Sequence, residues 1–269
     1  MQISLATAPG TAHPNEDYAL AGPDTVLVLD GAGLPEGTPT GCVHGVGWFV
    51  RSLGVRLLRH AAERDAELTE CLADALAETA GLHAGGCDLG DPMTPSATVA
   101  VVRRRGERLE WLVLADSTVL LDLADGLRVV ADHRVSEVTT RQRFELAGRL
   151  EGLPAGERRA LLTAAQREAM NTSDGYWVAA ANPDAAAHAR TGSAPWTDLR
   201  HAALLTDGAA RPVDDFATDD WPGLLTLLRE AGPQALIDHT RALERTDPHH
   251  HRWPRTKTHD DATAAFLTP

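Results

Sequence analysis

Five separated acidic segments punctuate the chain: Asn15-Glu16-Asp17, Asp30-Gly31, Ala115-Asp116-Ser117, Thr206-Asp207-Gly208 and Asp260-Asp261-Ala262-Thr263. Apolar runs adjoin them at Val26 to Leu29, Trp111 to Ala115, Ala202 to Leu205 and Ala264 to Leu267, and Glu16-Asp17 shortly precedes the first of these. A buried strand that stops at a carboxylate delivers it to the rim of a sheet. Taken singly, each motif reads as a plain turn, because Asp-Gly ends many strands. Together they predict something else if the rims converge. Crowded, dehydrated carboxylates cost several kcal/mol, roughly, unless they are neutralised. Hard divalent cations neutralise them through oxygen ligands, and Gly31, lacking a Cβ, lets its carbonyl approach whatever Asp30 holds. Two such ions roughly 3.5 to 4 Å apart lower the pKa of a shared water and steady the oxygens of a phosphoryl group under in-line attack.

The elements that must carry these acids follow from periodicity. Gln2 to Thr7 alternates as a short strand, and Pro9, Gly10 and Pro14 mark the loop that bears Glu16 and Asp17. Residues 34–40 are rich in Gly and Pro and predict a loop. Val46, Phe49, Val50, Leu53, Leu57 and Ala61 recur at three and four residues, and Leu68, Leu72, Ala75, Leu76 and Thr79 repeat the pattern. Two amphipathic helices are therefore expected, joined near residues 64–66. Strands are expected over 97–102, 109–115, 118–123 and 127–130, and their short connections imply antiparallel pairing. Helices over 134–152 and 154–170, a strand over 175–181 and another from Thr191 follow. The pattern closes with a strand over 202–205, helices over 221–230 and 233–245, a loop from Thr246 to His259 and the last apolar run. Helices, a strand meander and helices again predict α+β layers around stacked sheets. No internal repeat or linker divides the chain, so a single domain over 1–269 is expected.

Composition bounds the function. The 269 residues (28.7 kDa) are 43% hydrophobic and 23% charged, the balance of an ordinary globular protein. A formal charge of -13 and a pI near 5.3 argue against nucleic acid as a partner, which needs a basic surface. Lys257 is the sole lysine among 25 basic residues, a bias that suggests GC-rich, bacterial coding. Cys42, Cys71 and Cys87 show no CxxC or other zinc spacing and are expected to be reduced structural thiols. The first residues carry no basic leader, and no apolar run reaches the ~18 residues of a membrane span. A cytoplasmic protein without a membrane partner is the expectation. His249-His250-His251 reads as a solvated tract, and Arg141, Arg143 and Arg149 as charges on helix faces. Tyr176-Trp177 reads as packing.

In order and character the acidic segments, with the Ser96-Ala97-Thr98 strand and the closing Asp-Asp-x-Thr, resemble the metal-dependent protein phosphatases of the PP2C (PPM) family over Ile3 to Leu267. The resemblance implies an αββα sandwich of two antiparallel β-sheets flanked by helices, with a variable insert at about 134–195. It implies two Mg2+ or Mn2+ ions and a third, weaker one. Asp30, Asp207 and Asp260 would be the catalytic acids, Asp30 bridging both ions and Gly31 offering its carbonyl to one. Asp207 and Asp260 would complete one shell, Glu16 and Asp17 would act on the other ion mainly through water, and Asp116 would serve the third. Asp261 stands where the family commonly has asparagine, to orient the site or add a ligand. Ala115 replaces a glycine, and the segment Thr11-Ala12-His13-Pro14 lacks the family's phosphate-gripping arginine, leaving His13 to reach substrate when protonated. The implied activity is phosphoester hydrolysis, foremost on phosphorylated serine or threonine in proteins. A small phosphoester substrate, or a catalytically weak pseudophosphatase that binds a partner, are the alternatives. The retained acids favour the enzyme.

Overall fold

The computed structural model describes residues 1–11, 13–32, 40–83, 85–255 and 257–269. The expected 34–40 loop, apart from Thr40, lies outside the described residues, as do Gly33 and Ala12. The chain opens with β1 (Gln2–Ala8), β2 (Tyr18–Ala21) and β3 (Thr25–Gly31), followed by helices α1 (Val46–Glu63) and α2 (Leu68–His83). Strands β4 (Ala97–Arg105), β5 (Arg108–Leu114), β6 (Thr118–Leu123) and β7 (Gly126–Val130) come next. Helices α3 (Arg134–Glu145), α4 (Ala147–Leu150) and α5 (Ala155–Ala169) precede β8 (Arg190–Pro195) and β9 (Leu199–Leu205). The chain ends with α6 (Asp207–Asp214), α7 (Trp221–Thr246) and β10 (Ala262–Thr268).

Two five-stranded antiparallel sheets stack, ordered β1-β10-β9-β6-β7 and β2-β3-β4-β5-β8. Alternation along each strand sorts side chains to opposite faces. Val26 and Val28 of β3 turn inward with Val113, Val119, Leu121 and Leu204 to fill the space between the sheets. Leu27 and Leu29 turn outward against Phe49, Leu53 and Leu57 of α1 and Leu72 and Leu76 of α2. On the far side Ala203, Leu205 and Ala264 meet Leu224, Leu228 and Leu236 of α7. Both faces of each central strand are thus covered, which is why the sequence shows unbroken apolar runs there. This is the expected αββα sandwich.

Several local expectations are corrected. Residues 115–117 do not form a hairpin: β5 and β6 belong to different sheets, and the short connection carries the chain from one to the other. Ala115 makes that crossing with φ 66°, the left-handed conformation a glycine would favour. Residues 175–181 form no strand; only single bridges, Ala97 to Ala179 and Met170 to Tyr176, tie them to their neighbours. The run is apolar because Tyr176 and Val178 pack on Ala115 and Val138 below α3. Thr206-Asp207-Gly208 opens a helix, α6, whose Gly208 and Pro212 hid its periodicity. Of the three cysteines, Cys71 alone is in the core; Cys42 and Cys87 lie half-buried in loops.

Arg103 on β4 anchors the loop between α1 and α2. Its buried guanidinium donates to the carbonyls of Ala61 and Ala66 and pairs with Glu110 across the sheet.

Candidate active site

Five segments place their acids at one end of the sandwich. Asp30, opposite Thr98 in the β3–β4 ladder, Asp116 at the sheet crossing, Asp207 at the first turn of α6, and Asp260 before β10 line a cleft of about 260 Å³. Asp17, 6% exposed, lies behind them: Thr206 Oγ1 donates to its Oδ2 at 3.0 Å, while its Oδ1 is buried with no partner among the described residues. Thr206 Oγ1 also accepts the Thr263 amide at 2.9 Å, so one hydroxyl ties together the segments before β2, after β9 and at the start of β10.

Close packing of backbones makes this convergence possible. A Cβ on Gly31 would fall 2.7 Å from the Glu16 carbonyl oxygen, and one on Gly208 would fall 1.9 Å from that of Asp261. Only glycine lets these segments approach so nearly.

The electrostatics follow from the crowding. Burial, then the charges of Asp17, Asp207, Asp116 and Asp260, raise the Asp30 carboxyl well above the usual carboxylate range. Burial pushes Asp17 up to about 7, with hydrogen bonds from threonine hydroxyls opposing the repulsion of Asp207. Asp116 is pushed up to about 7 by burial and then Asp207. Asp207 is raised by its dense surroundings and then by Asp260, although its outer edge is open to the cleft.

The remaining expected residues border a second, wider cleft of about 650 Å³ that shares Asp260 with the first. Glu16 lines it, its carboxyl raised by burial and by Asp261. His13 is exposed on the same rim. Asp261 faces inward: its Oδ1 accepts the Gly10 amide at 2.8 Å and its Oδ2 the Glu16 amide at 2.7 Å. Both oxygens accept a backbone amide and so fasten the loop before β2 to the turn before β10.

Sequence reasoning missed the cations. Lys257 pairs with Asp260 Oδ1, and Arg211 Nη2 pairs with its Oδ2 at 3.1 Å. Arg211 is in turn held by Glu244, fully buried in α7, which also binds Arg241 and His259. Arg167, in the last turn of α5, is buried and lines the same cleft as Asp30 and Asp116, yet is salt-bridged to no carboxylate among the described residues. It donates to Ser96 Oγ at 2.9 Å and to the Ala32 carbonyl at 3.3 Å, and burial pulls its guanidinium below the ordinary value. The sole lysine was a visible signal; Arg167 carried none, being one of many arginines in an expected helix.

The donor set suits hard divalent cations. It consists of carboxylates and a glycine carbonyl, it repels itself when empty of positive charge, and it includes a buried oxygen without a partner among the described residues.

The sequence of residues 11–246 matches the family model described as protein phosphatase 2C. No curated protein matches the sequence. Among solved structures, the catalytic domain of the serine/threonine protein phosphatase PstP in complex with two manganese ions aligns with a TM-score of 0.56 at 14% identity, covering 98% of this chain and 96% of that one. The Ser-Thr phosphatase MsPP from Mycobacterium smegmatis aligns at 0.57 and 15% identity over 100% and 98% of the two chains. Stp1 from Staphylococcus aureus aligns at 0.55 and 14% identity over 100% and 94%.

Proposed function

Because the chain belongs to the protein phosphatase 2C family, we propose that it is an active metal-dependent phosphatase whose substrate is a phosphorylated serine or threonine in a protein. The observation that carries this reading is the convergence of Asp17, Asp30, Asp116, Asp207 and Asp260, with one Asp17 oxygen buried and without a partner among the described residues. A binding module would gain nothing from carboxylates that repel one another.

Asp30 and Asp207, with the Gly31 carbonyl and Asp260, would hold Mg2+ or Mn2+; Asp17 stands behind them, and Asp116 would hold a further ion. Bound there, such ions supply an activated water and charge stabilisation for the phosphoryl oxygens. Asp261 positions Glu16 and the Gly10 loop. Arg211 and Lys257 orient Asp260 and limit the negative charge of the cleft. Arg167 takes the place of the missing arginine: a cation bound only to neutral acceptors is free to exchange one of them for a phosphate oxygen, where its planar donors fit well. The adjoining wide cleft, with Arg51 and Arg159 on its rim, has room for the residues flanking a phosphorylated side chain. That favours a polypeptide over a small phosphoester.

The test is hydrolysis of p-nitrophenyl phosphate and of a phosphothreonine peptide with and without Mn2+. We expect metal-dependent turnover of both, with Asp30→Asn and Asp207→Asn each reducing it at least on the order of 10²-fold. Equal background rates for all three proteins would overturn the reading.

A further inference from the structure

A second cluster of ligand atoms lies apart from the carboxylates. Cys42 and His44 occupy the segment leading into α1, His83 is the last residue of α2, and Cys87 follows in the next turn. Because α1 and α2 pack as a hairpin, the start of one and the end of the other share one end of the pair, and the Asp88 amide donates to the Gly41 carbonyl at 2.8 Å to join the two segments.

The four ligand atoms all lie within 4.8 Å of one another. Cys42 Sγ is 3.4 Å from His83 Nδ1 and 3.7 Å from His44 Nδ1, and Cys87 Sγ is 3.4 Å from His44 Nδ1. A tetrahedral zinc ion with Zn–S of about 2.3 Å and Zn–N of about 2.0 Å requires sulfur–nitrogen separations of roughly 3.5 Å. The imidazoles are held in place: His44 stacks on Trp48 with centroids 4.3 Å apart, and Trp48 meets His83 edge-on at 4.6 Å. The His44 amide donates to Cys42 Sγ at 3.3 Å, which fixes the sulfur beside the ring. Simple thiol–imidazole bonding would account for Cys42 with His83 and Cys87 with His44, but not for the third contact, Cys42 Sγ to His44 Nδ1, nor for the gathering of all four ligand atoms, and the thiols are free.

We propose that Cys42, His44, His83 and Cys87 bind one zinc ion in a closed, structural Cys2His2 site. Four protein ligands fill the coordination shell and leave no position for substrate, so the ion fastens loops rather than performing chemistry. Binding displaces the two thiol protons to solvent. The soft sulfur donors distinguish this site from the all-oxygen cleft, which selects a different class of cation. The sequence concealed it because the spacings, Cys-x-His and His-x3-Cys, straddle two helices. His44 and Trp48 also form part of the wall of the wide cleft, so the ion would brace that wall.

The experiment is elemental analysis of the untagged full-length chain after dialysis into magnesium buffer. About one zinc per chain is expected in the wild type and in Asp207→Asn, and its loss in Cys42→Ser and Cys87→Ser. Should those variants fail to fold, the wild-type chain refolded with Co2+ supplies an independent readout: thiolate-to-cobalt charge transfer and the intense visible bands of a tetrahedral ion. Absence of zinc together with absence of that charge transfer, zinc retained by both cysteine variants, or a Cys42–Cys87 disulfide found by peptide mass spectrometry in the native protein would overturn the proposal.

Discussion

Thr206 Oγ1 donates to Asp17 Oδ2 at 3.0 Å, while the other oxygen of that buried carboxylate has no hydrogen-bond partner among the described residues. The hydroxyl thus orients a carboxylate that the sequence assigned to metal chemistry. Thr206→Val should lower Mn2+ affinity by about 10- to 100-fold, as read by titration calorimetry, while Thr206→Ser should retain it.

The metal-free protein should lose stability as pH rises. Asp17 and Asp116 are pushed from 3.8 up to about 7, so between those values the unfolded chain has released protons that the folded chain still holds. The folded state is then favoured most below pH 3.8 as far as these groups are concerned, and their contribution is lost as pH climbs to about 7. Thermal melts in chelator should show a fall in Tm across that window, and saturating Mn2+ should flatten it.

Asp261→Ala removes the acceptor of two backbone amides, those of Gly10 and Glu16. Each amide left without a partner costs about 1–3 kcal/mol, depending on how far water reaches it. Denaturant unfolding should report the loss. Asp261→Asn keeps one acceptor oxygen and should lose less.

Arg167→Ala should raise KM for p-nitrophenyl phosphate more than it lowers kcat under the proposed role of its guanidinium as the phosphate donor. Arg167→Lys, a point charge without the planar fork, should restore part of the affinity. An unchanged KM in both variants would remove Arg167 from the phosphate site.

Glu110→Ala leaves the Arg103 guanidinium buried beside Cys71 with only carbonyl acceptors. Removing one partner of a buried pair costs about 3–5 kcal/mol, which urea unfolding should detect. Activity per folded molecule should change little, since this pair lies on β4 and β5 at the end remote from Asp30.

The stacked sheets and the identity of the clustered acids were legible because both leave a local mark. Buried strands such as Val26 to Leu29 read as continuous apolar runs, and this one ends in Asp30. What the chain order concealed was pairing across distance. Nothing in residues 115–117 says that β5 and β6 join different sheets, since a three-residue connection suits a hairpin equally well. Arg167 meets Ala32 across 135 positions, and Glu244 gathers Arg211 and His259 from different segments. Such partners are fixed by packing, so no periodicity announces them. The cysteine and histidine cluster escaped for the same reason: its members are separated by the whole α1–α2 hairpin.

The pairing of β1 with β10, seven residues in register from Gln2 with Thr268 to Ala8 with Ala262, has a consequence for biogenesis. The loop bearing Asp17 leaves β1 and the turn bearing Asp260 enters β10, so the acids stay dispersed until synthesis has reached the final strand. A nascent chain can assemble the β3–β4–β5 half early, but the acids gather only once β10 has been made and has paired with β1.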